Sequence, residues 1–296
     1  MRRCNIGIAA PEHCVVPATP EQSAGAVDLS ISVVIYRPNV AQLERTLDTL
    51  RDSWAAFQRK GRNVGASVFL VDNGGAPDMT SMIAAFKEVD TPCVVIAGHG
   101  NVGYGAGHNL ALARSNGTYH LILNPDVELN PDALDKALTF LDSEPRYGLL
   151  TPYVCDENGE QQFLCRRFPT VFDLLVRGFL PERLRALFNG RLSHYEMRDL
   201  VNQRDTVINP PIVSGCFMLF RTDVLRRVGG FDERYFLYFE DYDLSVRTHD
   251  VSDVVYLPTV RIIHHGGGAS RKGWLHVRLF VASMVRFFNR FGWKWL

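Results

Sequence analysis

The chain has 296 residues, 32 Lys and Arg against 32 Asp and Glu, and 46% hydrophobic residues. That length can bury a sizeable core, and this composition excludes a largely disordered protein. A formal net charge of zero excludes the basic footprint of a general nucleic-acid binder, and no apolar run reaches the roughly 18–20 residues that span a bilayer.

Residues 1–28 are rich in Pro, Ala, Ser and Glu, lack periodicity, and read as a loose extension. Within them, Asn5 to Ala10 is too short for the apolar core of a secretory leader and is interrupted by Pro11, Glu12 and His13. Ile31 to Tyr36 is a β-branched run that predicts a buried strand. Leu43, Leu47, Leu50, Trp54 and Phe57 then recur at helical spacing and form one apolar stripe. Val68 to Val71 predicts a second strand, ended by the turn Asp72-Asn73-Gly74-Gly75. Met79 to Phe86 reads as helix, Val94 to Ala97 as a third strand, Gly98 to Asn109 as a long glycine-rich loop, Leu110 to Arg114 as helix and Tyr119 to Leu123 as a fourth strand. Asn124-Pro125-Asp126 stops that strand, and Pro131 opens a helix carrying Leu134, Leu138 and Leu141.

Strands alternating with helices predict an α/β fold with a Rossmann-type, mostly parallel sheet, whose ligands bind at the carboxyl ends of the strands. Asp72, the glycine-rich loop and Asp126 all fall at such ends. The second half is less regular. Leu149 to Val154 and Gln161 to Cys165 are spaced to pair around Asp156-Glu157-Asn158-Gly159, and Val171 to Phe188 mixes apolar residues with arginine. Val213 to Phe220 predicts a strand, and Thr222 to Val228 a short helix closed by Gly229-Gly230. Glu240 to Thr248 reads as helix, Val254 to Leu257 and Arg261 to Ile263 as strands, and Trp274 to Phe291 as a long amphipathic helix. The six cysteines form no Cys-x-x-Cys pair, which suits reduced thiols in a cytosolic protein.

Three segments carry chemistry. Gly98-His99-Gly100-Asn101-Val102-Gly103 matches a dinucleotide fingerprint, but it follows the third predicted strand rather than the first. It reads as a nicotinamide site in an NAD(P)-dependent oxidoreductase, as glycines serving turn geometry, or as a loop that lets backbone and Asn109 approach a sugar nucleotide. Asn124-Pro125-Asp126 suits either a divalent cation held by hard oxygen or a plain turn. Tyr238-Phe239-Glu240-Asp241-Tyr242-Asp243-Leu244 crowds three acids into a helix start, which the macrodipole favours, and Asp243 and Arg247 are spaced for an ion pair. The dipole does not require the flanking Tyr235, Phe236, Tyr238 and Phe239, which suit a ligand cleft.

In order, Asp72, the run Asn101 to Asn109, Asn124-Pro125-Asp126, Ser214-Gly215-Cys216-Phe217-Met218, Gly229-Gly230-Phe231-Asp232-Glu233, Phe239-Glu240-Asp241-Tyr242-Asp243-Leu244 and His264-His265-Gly266-Gly267 resemble the family 2 glycosyltransferases of GT-A fold. The chain is most similar to their bacterial rhamnosyltransferase-like branch, from about Ile31 onward. The resemblance implies a transferase domain over 29–270, with a nucleotide-sugar half to about residue 130 and an acceptor half from about 131. It implies Asp72 on the nucleotide base, Asn101, Gly103, Asn109 and Asn124 along the donor, and Asp126 with His264 on Mg²⁺ or Mn²⁺. It implies Asp241 as catalytic base, with Glu240, Gly215 and Asp243 supporting the acceptor side. Two positions depart from the family: Asn124 replaces the first acid of the Asp-x-Asp metal motif, and Tyr36-Arg37-Pro38-Asn39 stands where Thr-Tyr-Asn is common.

The implied reaction is inverting, metal-dependent transfer of L-rhamnose from dTDP-L-rhamnose to a saccharide or lipid-linked glycan, in bacterial surface polysaccharide synthesis. The alternatives are a UDP-hexose or UDP-galactofuranose donor, the oxidoreductase above, or an inactive carbohydrate-binding relative, against which Asp126 and Asp241 argue. From Arg271 to Leu296 there are six Lys or Arg and no Asp or Glu. Val277, Phe280, Val281, Met284, Phe287, Phe288 and Phe291 share a face there, with Arg278, Arg286, Arg290 and Lys294 among or opposite them. Such a helix either packs on the body or rests on an anionic membrane surface. The expected location is the cytoplasm, with the inner face of the plasma membrane as the second option.

Overall fold

The computed structural model describes residues 27–61, 64–266 and 273–296, so the extension expected over 1–28 lies almost wholly outside the described residues. Four strands, β1 (Val27–Ile35), β2 (Gly65–Asp72), β3 (Cys93–Ile96) and β4 (Tyr119–Leu123), pair in parallel in the order β3-β2-β1-β4. Both faces of the central strands are covered, which is why they read as unbroken apolar runs. On one face, Ile31, Val33 and Ile35 meet Leu43, Leu47, Leu50, Trp54 and Phe57 of α1 (Val40–Gln58), the stripe expected from sequence. On the other, Val34, Phe69 and Val71 meet Ala111 of α3 (Tyr104–Leu112). The short α2 (Thr80–Phe86) buries Met82 and Phe86 in the first cluster.

The chain departs from expectation at α3. Tyr104 to Asn109 is not loop but the first turns of this helix, capped by Gly103. Glycine disfavours helix interiors, so the glycine-rich run looks like loop. Here the helix needs close approach. A Cβ on Gly105 would lie 2.8 Å from Phe231 Cβ, and one on Gly107 2.9 Å from Val34 Cγ2.

Beyond β4 the sheet becomes mixed. Its remaining strands are β5 (Val127–Leu129), β6 (Tyr147–Cys155), β7 (Val207–Ile208), β8 (Phe217–Arg221) and β9 (Asp253–His264). They continue the order as β4-β8-β6-β9-β5, with β7 also on β9. The expected pairing of Leu149–Val154 with Gln161–Cys165 is reduced to one bridge, Cys155 to Gln161. Leu149 to Val154 is buried on both faces, and it lies inside the sheet between β8 and β9 instead. The two strands expected after Ser252 are one, β9, whose register jumps opposite Pro152 and Tyr153.

Helices α4 (Ala133–Ser143), α5 (Val171–Phe179), α6 (Glu182–Arg185), α7 (Asn189–Tyr195), α8 (Thr222–Arg227), α9 (Glu240–Thr248) and α10 (Trp274–Phe291) complete the chain. The last helix packs on the body. Phe287 and Phe288 are fully buried with Leu174 of α5, Tyr195 of α7, Tyr235 and Phe239. Two cations of its basic stripe turn inward: Arg286 donates to the Arg234 carbonyl, and Arg290 pairs with Asp232 and Asp243. Among the described residues no helix is long and apolar enough to cross a membrane, and the four described cysteines are free thiols.

Candidate active site

One end of the candidate site lies where β1, β2 and β4 stop. Asp72 ends β2, and its Oδ1 accepts the Gly74 N–H at 2.7 Å, which fixes the turn that follows. Asn73 is buried, and its Nδ2 donates to the Gly103 carbonyl at 2.8 Å, tying this turn to the start of α3. Gly103 has φ 92°, and a Cβ there would lie 2.4 Å from the Phe236 carbonyl, so only glycine fits. Asn101 Oδ1 accepts the Gly103 N–H at 3.1 Å. In the departing strand-one segment, Arg37 sits at φ 44° with its guanidinium 5.4 Å from the half-exposed Tyr36 ring, and Asn39 caps α1.

Asn109 is engaged by the segment that follows α8. Its Nδ2 donates to the Phe231 carbonyl at 2.9 Å, and its Oδ1 accepts the Phe231 N–H at 2.9 Å. Both ends of the amide are thus engaged by the Gly-Gly-Phe-Asp-Glu segment, so Asn109 positions that segment. Beneath it, Ser32 Oγ lies 2.7 Å from His108 Nδ1 and 2.9 Å from His120 Nε2. Both imidazoles are fully enclosed, and burial pushes both below the ordinary histidine range, His120 to about 3.

Asp126 and His264 meet across the β5–β9 pairing. Asn124, whose N–H donates to the Cys216 carbonyl at 3.0 Å, leads into this turn. Asp126 Oδ1 is buried without a hydrogen-bond partner, 3.6 Å from His264 Nε2. The imidazole is oriented from behind: His264 Nδ1 lies 3.0 Å from Gln162 Oε1, and Gln162 Nε2 donates to the His264 carbonyl at 2.8 Å. An Nδ1–H donated to Gln162 directs the Nε2 lone pair toward Asp126. A Cβ on Gly266 would lie 2.4 Å from His264 Nε2 and 2.9 Å from Asp126 Oδ2, so glycine leaves this space open. An orphaned carboxylate oxygen facing an oriented imidazole fits a divalent cation. Among the described residues no group of three His, Cys, Asp or Glu forms a complete cage. His265 is engaged elsewhere, with Nε2 2.7 Å from Glu128 Oε1.

The acidic pair is set by strained backbone. Tyr238 and Phe239 both take left-handed conformations, at φ 71° and 64°, immediately before Glu240 opens α9. Asp241 Oδ2 accepts the Gly215 N–H at 3.1 Å, and Tyr104 Oη donates to the Gly215 carbonyl at 2.7 Å. Gly215 thereby links Asp241 to the start of α3. Burial raises the Asp241 pKa, opposed by the Gly215 amide and the Arg166 guanidinium. Burial, then the charge of Asp241, drives the Glu240 carboxyl well above the ordinary range, and its Oε2 has no partner. Of the two carboxyls, Glu240 is the one pushed further toward its protonated form. Asp243, also expected beside the acceptor, is instead fully buried between Arg247 Nε at 2.6 Å and Arg290 Nη1 at 2.8 Å.

Beside Asp241 lies a cavity of ≈ 230 Å³, walled by Arg166, Arg177, Leu174 and Ser214, and by Phe280 from α10. Sequence reasoning missed Gln162, Arg166 and Tyr104. Gln162 and Arg166 lie in and just beyond a run read only as strand, and Tyr104 in a run read as loop.

A sheet with carboxylates converging at its parallel strand ends, a facing Asp–His pair and an acidic helix start make up the arrangement of a GT-A glycosyltransferase. The chain belongs to glycosyl transferase family 2, whose model matches residues 30–229. It is 31% identical over 251 residues to the N-acetylglucosaminyl-diphospho-decaprenol L-rhamnosyltransferase of Mycobacterium tuberculosis, covering 80% of this chain and 76% of that protein. The fold is shared with TarS of S. aureus at TM-score 0.52 and 16% identity, over 89% of this chain and 40% of that one. It is also shared with the mannosyltransferase PcManGT from Pyrobaculum calidifontis, solved with GDP-Man and Mn²⁺, at TM-score 0.53 and 16% identity. That match covers 89% of this chain and 67% of the mannosyltransferase. The enzyme class sets aside the oxidoreductase alternative, and Gly98 to Gly103 follows β3 at the sheet edge rather than the first strand.

Proposed function

We propose that this glycosyltransferase moves L-rhamnose from dTDP-L-rhamnose onto a saccharide carried by a lipid diphosphate, with inversion, in the synthesis of a bacterial surface polysaccharide. The observation that carries this is the placement of Asp241 between two sides. The Gly215 amide and Tyr104 connect it to the donor end, and the cavity on its other side has arginine and apolar walls. The relative from Mycobacterium tuberculosis bears the name of that reaction.

Asp72, Asn101, Gly103 and Asn124 would line the nucleotide sugar at the strand ends. Asp126 and His264 would hold Mg²⁺ or Mn²⁺, and the cation would offset charge on the leaving diphosphate. Asp241, ionised, accepts the proton of the acceptor hydroxyl as the hydroxyl oxygen attacks the anomeric carbon. General-base assistance of this kind contributes about 10²–10⁴ in rate. A single base opposite the leaving group gives direct displacement, and no second acid is needed. Glu240, pushed toward its protonated form by burial and by the charge of Asp241, would add little negative charge next to the attacking oxygen.

The same reading puts the protein at the inner face of the plasma membrane. Leu184 and Leu187 near α6, Trp274 and Leu275 at the start of α10, and Trp295 are exposed, with Arg183 and Arg278 exposed nearby in sequence. Apolar side chains flanked by cations suit an anionic lipid surface. The deciding experiment is thermal shift against dTDP-L-rhamnose, UDP-glucose and UDP-galactofuranose, with and without Mg²⁺ or Mn²⁺, followed by a transfer assay. Stabilisation by dTDP-L-rhamnose is expected, strengthened by metal. Selective stabilisation by a UDP-sugar would overturn the donor assignment.

A further inference from the structure

The wall of the acceptor-side cavity contains a cation with unused hydrogen-bonding capacity. Arg166 is 5% exposed, lines the cavity, and its Nε has no hydrogen-bond partner. Its backbone is fixed by reciprocal bonds with Ile212, and its guanidinium lies 5.9 Å from the Tyr195 ring centroid. A guanidinium withdrawn from water is costly unless its donors find acceptors. A second arginine, Arg177, also lines the cavity. It is half-exposed and anchored by Nε to Glu196 Oε1 at 3.0 Å. Leu174, Phe239 and Phe280 also line it, so the cavity offers cationic donors and apolar walls together. The acids beside it do not cancel this. Burial pushes both Asp241 and Glu240 toward their protonated forms, Glu240 further, and Glu196 is shared between Arg177 and Arg198.

We propose that this cavity is a subsite for the phosphate of a phosphate-linked acceptor, with Arg166 as the buried donor to its oxygens and Arg177 as a second donor at its rim. Guanidinium groups match phosphate oxygens in pairs, and such bonds are shorter and stronger than neutral ones. The apolar walls then accept the start of the hydrocarbon that the phosphate carries. This deepens the lipid-diphosphate assignment above and rests on it for the identity of the acceptor. The subsite is separate from Asp126 and His264, neither of which lines the cavity.

The test needs no turnover. Farnesyl diphosphate and farnesol are titrated into the full chain in EDTA, without donor, by calorimetry. The diphosphate is expected to bind about ten- to hundredfold more tightly than the alcohol, the size of a lost charge-assisted bond. Arg166→Gln and, separately, the rim variant Arg177→Gln should each shrink that ratio about tenfold or more. Equal binding of the two probes by the parent chain overturns the proposal. So does a preference that survives in both variants, because the anion then sits elsewhere. In a transfer assay, a saccharide on a short prenyl diphosphate is compared with the same saccharide on an uncharged alkyl chain. The ratio of kcat/KM values should fall toward one in each variant. A purely structural role would lower both values and leave the ratio. Absence of transfer to either acceptor would count against the rhamnosyl assignment and leave the calorimetric test of the cavity intact.

Discussion

Arg290 Nη1 lies 2.8 Å from Asp243 Oδ1, so α10 is tied to the helix that carries the candidate base. The other Asp243 oxygen takes Arg247 Nε at 2.6 Å, and Arg247 Nη2 donates to the Gly230 carbonyl at 2.8 Å. One buried carboxylate thus joins two helices and the Gly-Gly-Phe-Asp-Glu turn. Arg290→Ala removes one of its two cations. The expected loss is about 1–2 kcal/mol, at the low end for a buried pair because Arg247 remains. Urea unfolding measures it, and an unchanged midpoint would mean that the contact contributes nothing.

Asp241→Asn keeps the Gly215 N–H bonded to an oxygen but removes the proton acceptor. Transfer should fall by about 10²–10⁴, while donor binding by calorimetry stays within about twofold. In the parent chain, kcat should fall on acidification. Its midpoint should lie above the ordinary carboxylate range, because burial raises the Asp241 pKa. A midpoint at about 4 would place the titrating group in open solvent.

The cation pair predicts a graded series. Asp126→Ala and His264→Ala should abolish metal-dependent tightening of donor binding. Gln162→Ala, which frees the imidazole ring, should weaken it by about 10–100-fold. Donor titrations across a Mn²⁺ series read all three. Equal metal response in the parent and Gln162→Ala would show that the ring needs no orienting.

His108 and His120 predict acid sensitivity of the folded state. Their folded pKa values are lowered by burial, so on acidification the unfolded chain binds these protons first. The stability they permit is complete above about pH 6.5 and is lost progressively below it, toward about pH 3 for His120. Each contributes a slope of up to about 1.4 kcal/mol per pH unit. Denaturant unfolding across that range measures the slope. Ring NMR signals of both histidines should stay in the neutral form from about pH 7 to about pH 5.

The exposed apolar residues predict pelleting with vesicles containing anionic lipid at low salt, and weaker pelleting with neutral vesicles. Leu187→Glu with Trp274→Glu should abolish it. Equal recovery in the supernatant for both vesicle types would remove the membrane assignment.

The sheet was legible where strands are buried on both faces and flanked by turn residues. Ile31 to Tyr36 and Val68 to Val71 fall inside or within one residue of β1 and β2. Asp241 and Asp126 stand out because acids near a helix start or a strand end are unusual beside so much aromatic and apolar chain. Glycine misled at α3, since Gly105 and Gly107 are there for packing against Phe231 and Val34, and neither neighbour is close in sequence. The Asp243–Arg247 pair was legible from its spacing, whereas the Phe231 partner of Asn109 and the Arg290 partner of Asp243 are supplied by distant segments. Gln162 carried no local signal. Its role exists only once β9 brings His264 alongside.

Phe280 closes the acceptor cavity, and it comes from the helix that follows every strand of the sheet. As the chain emerges from the ribosome, β1 to β4 and the donor end can assemble before that wall exists. If Asp241 is the base proposed above, a nascent or clipped chain without α10 would leave it open to bulk water as a competing acceptor. On the proposed function, completing the fold would convert a site open to hydrolysis into one committed to transfer.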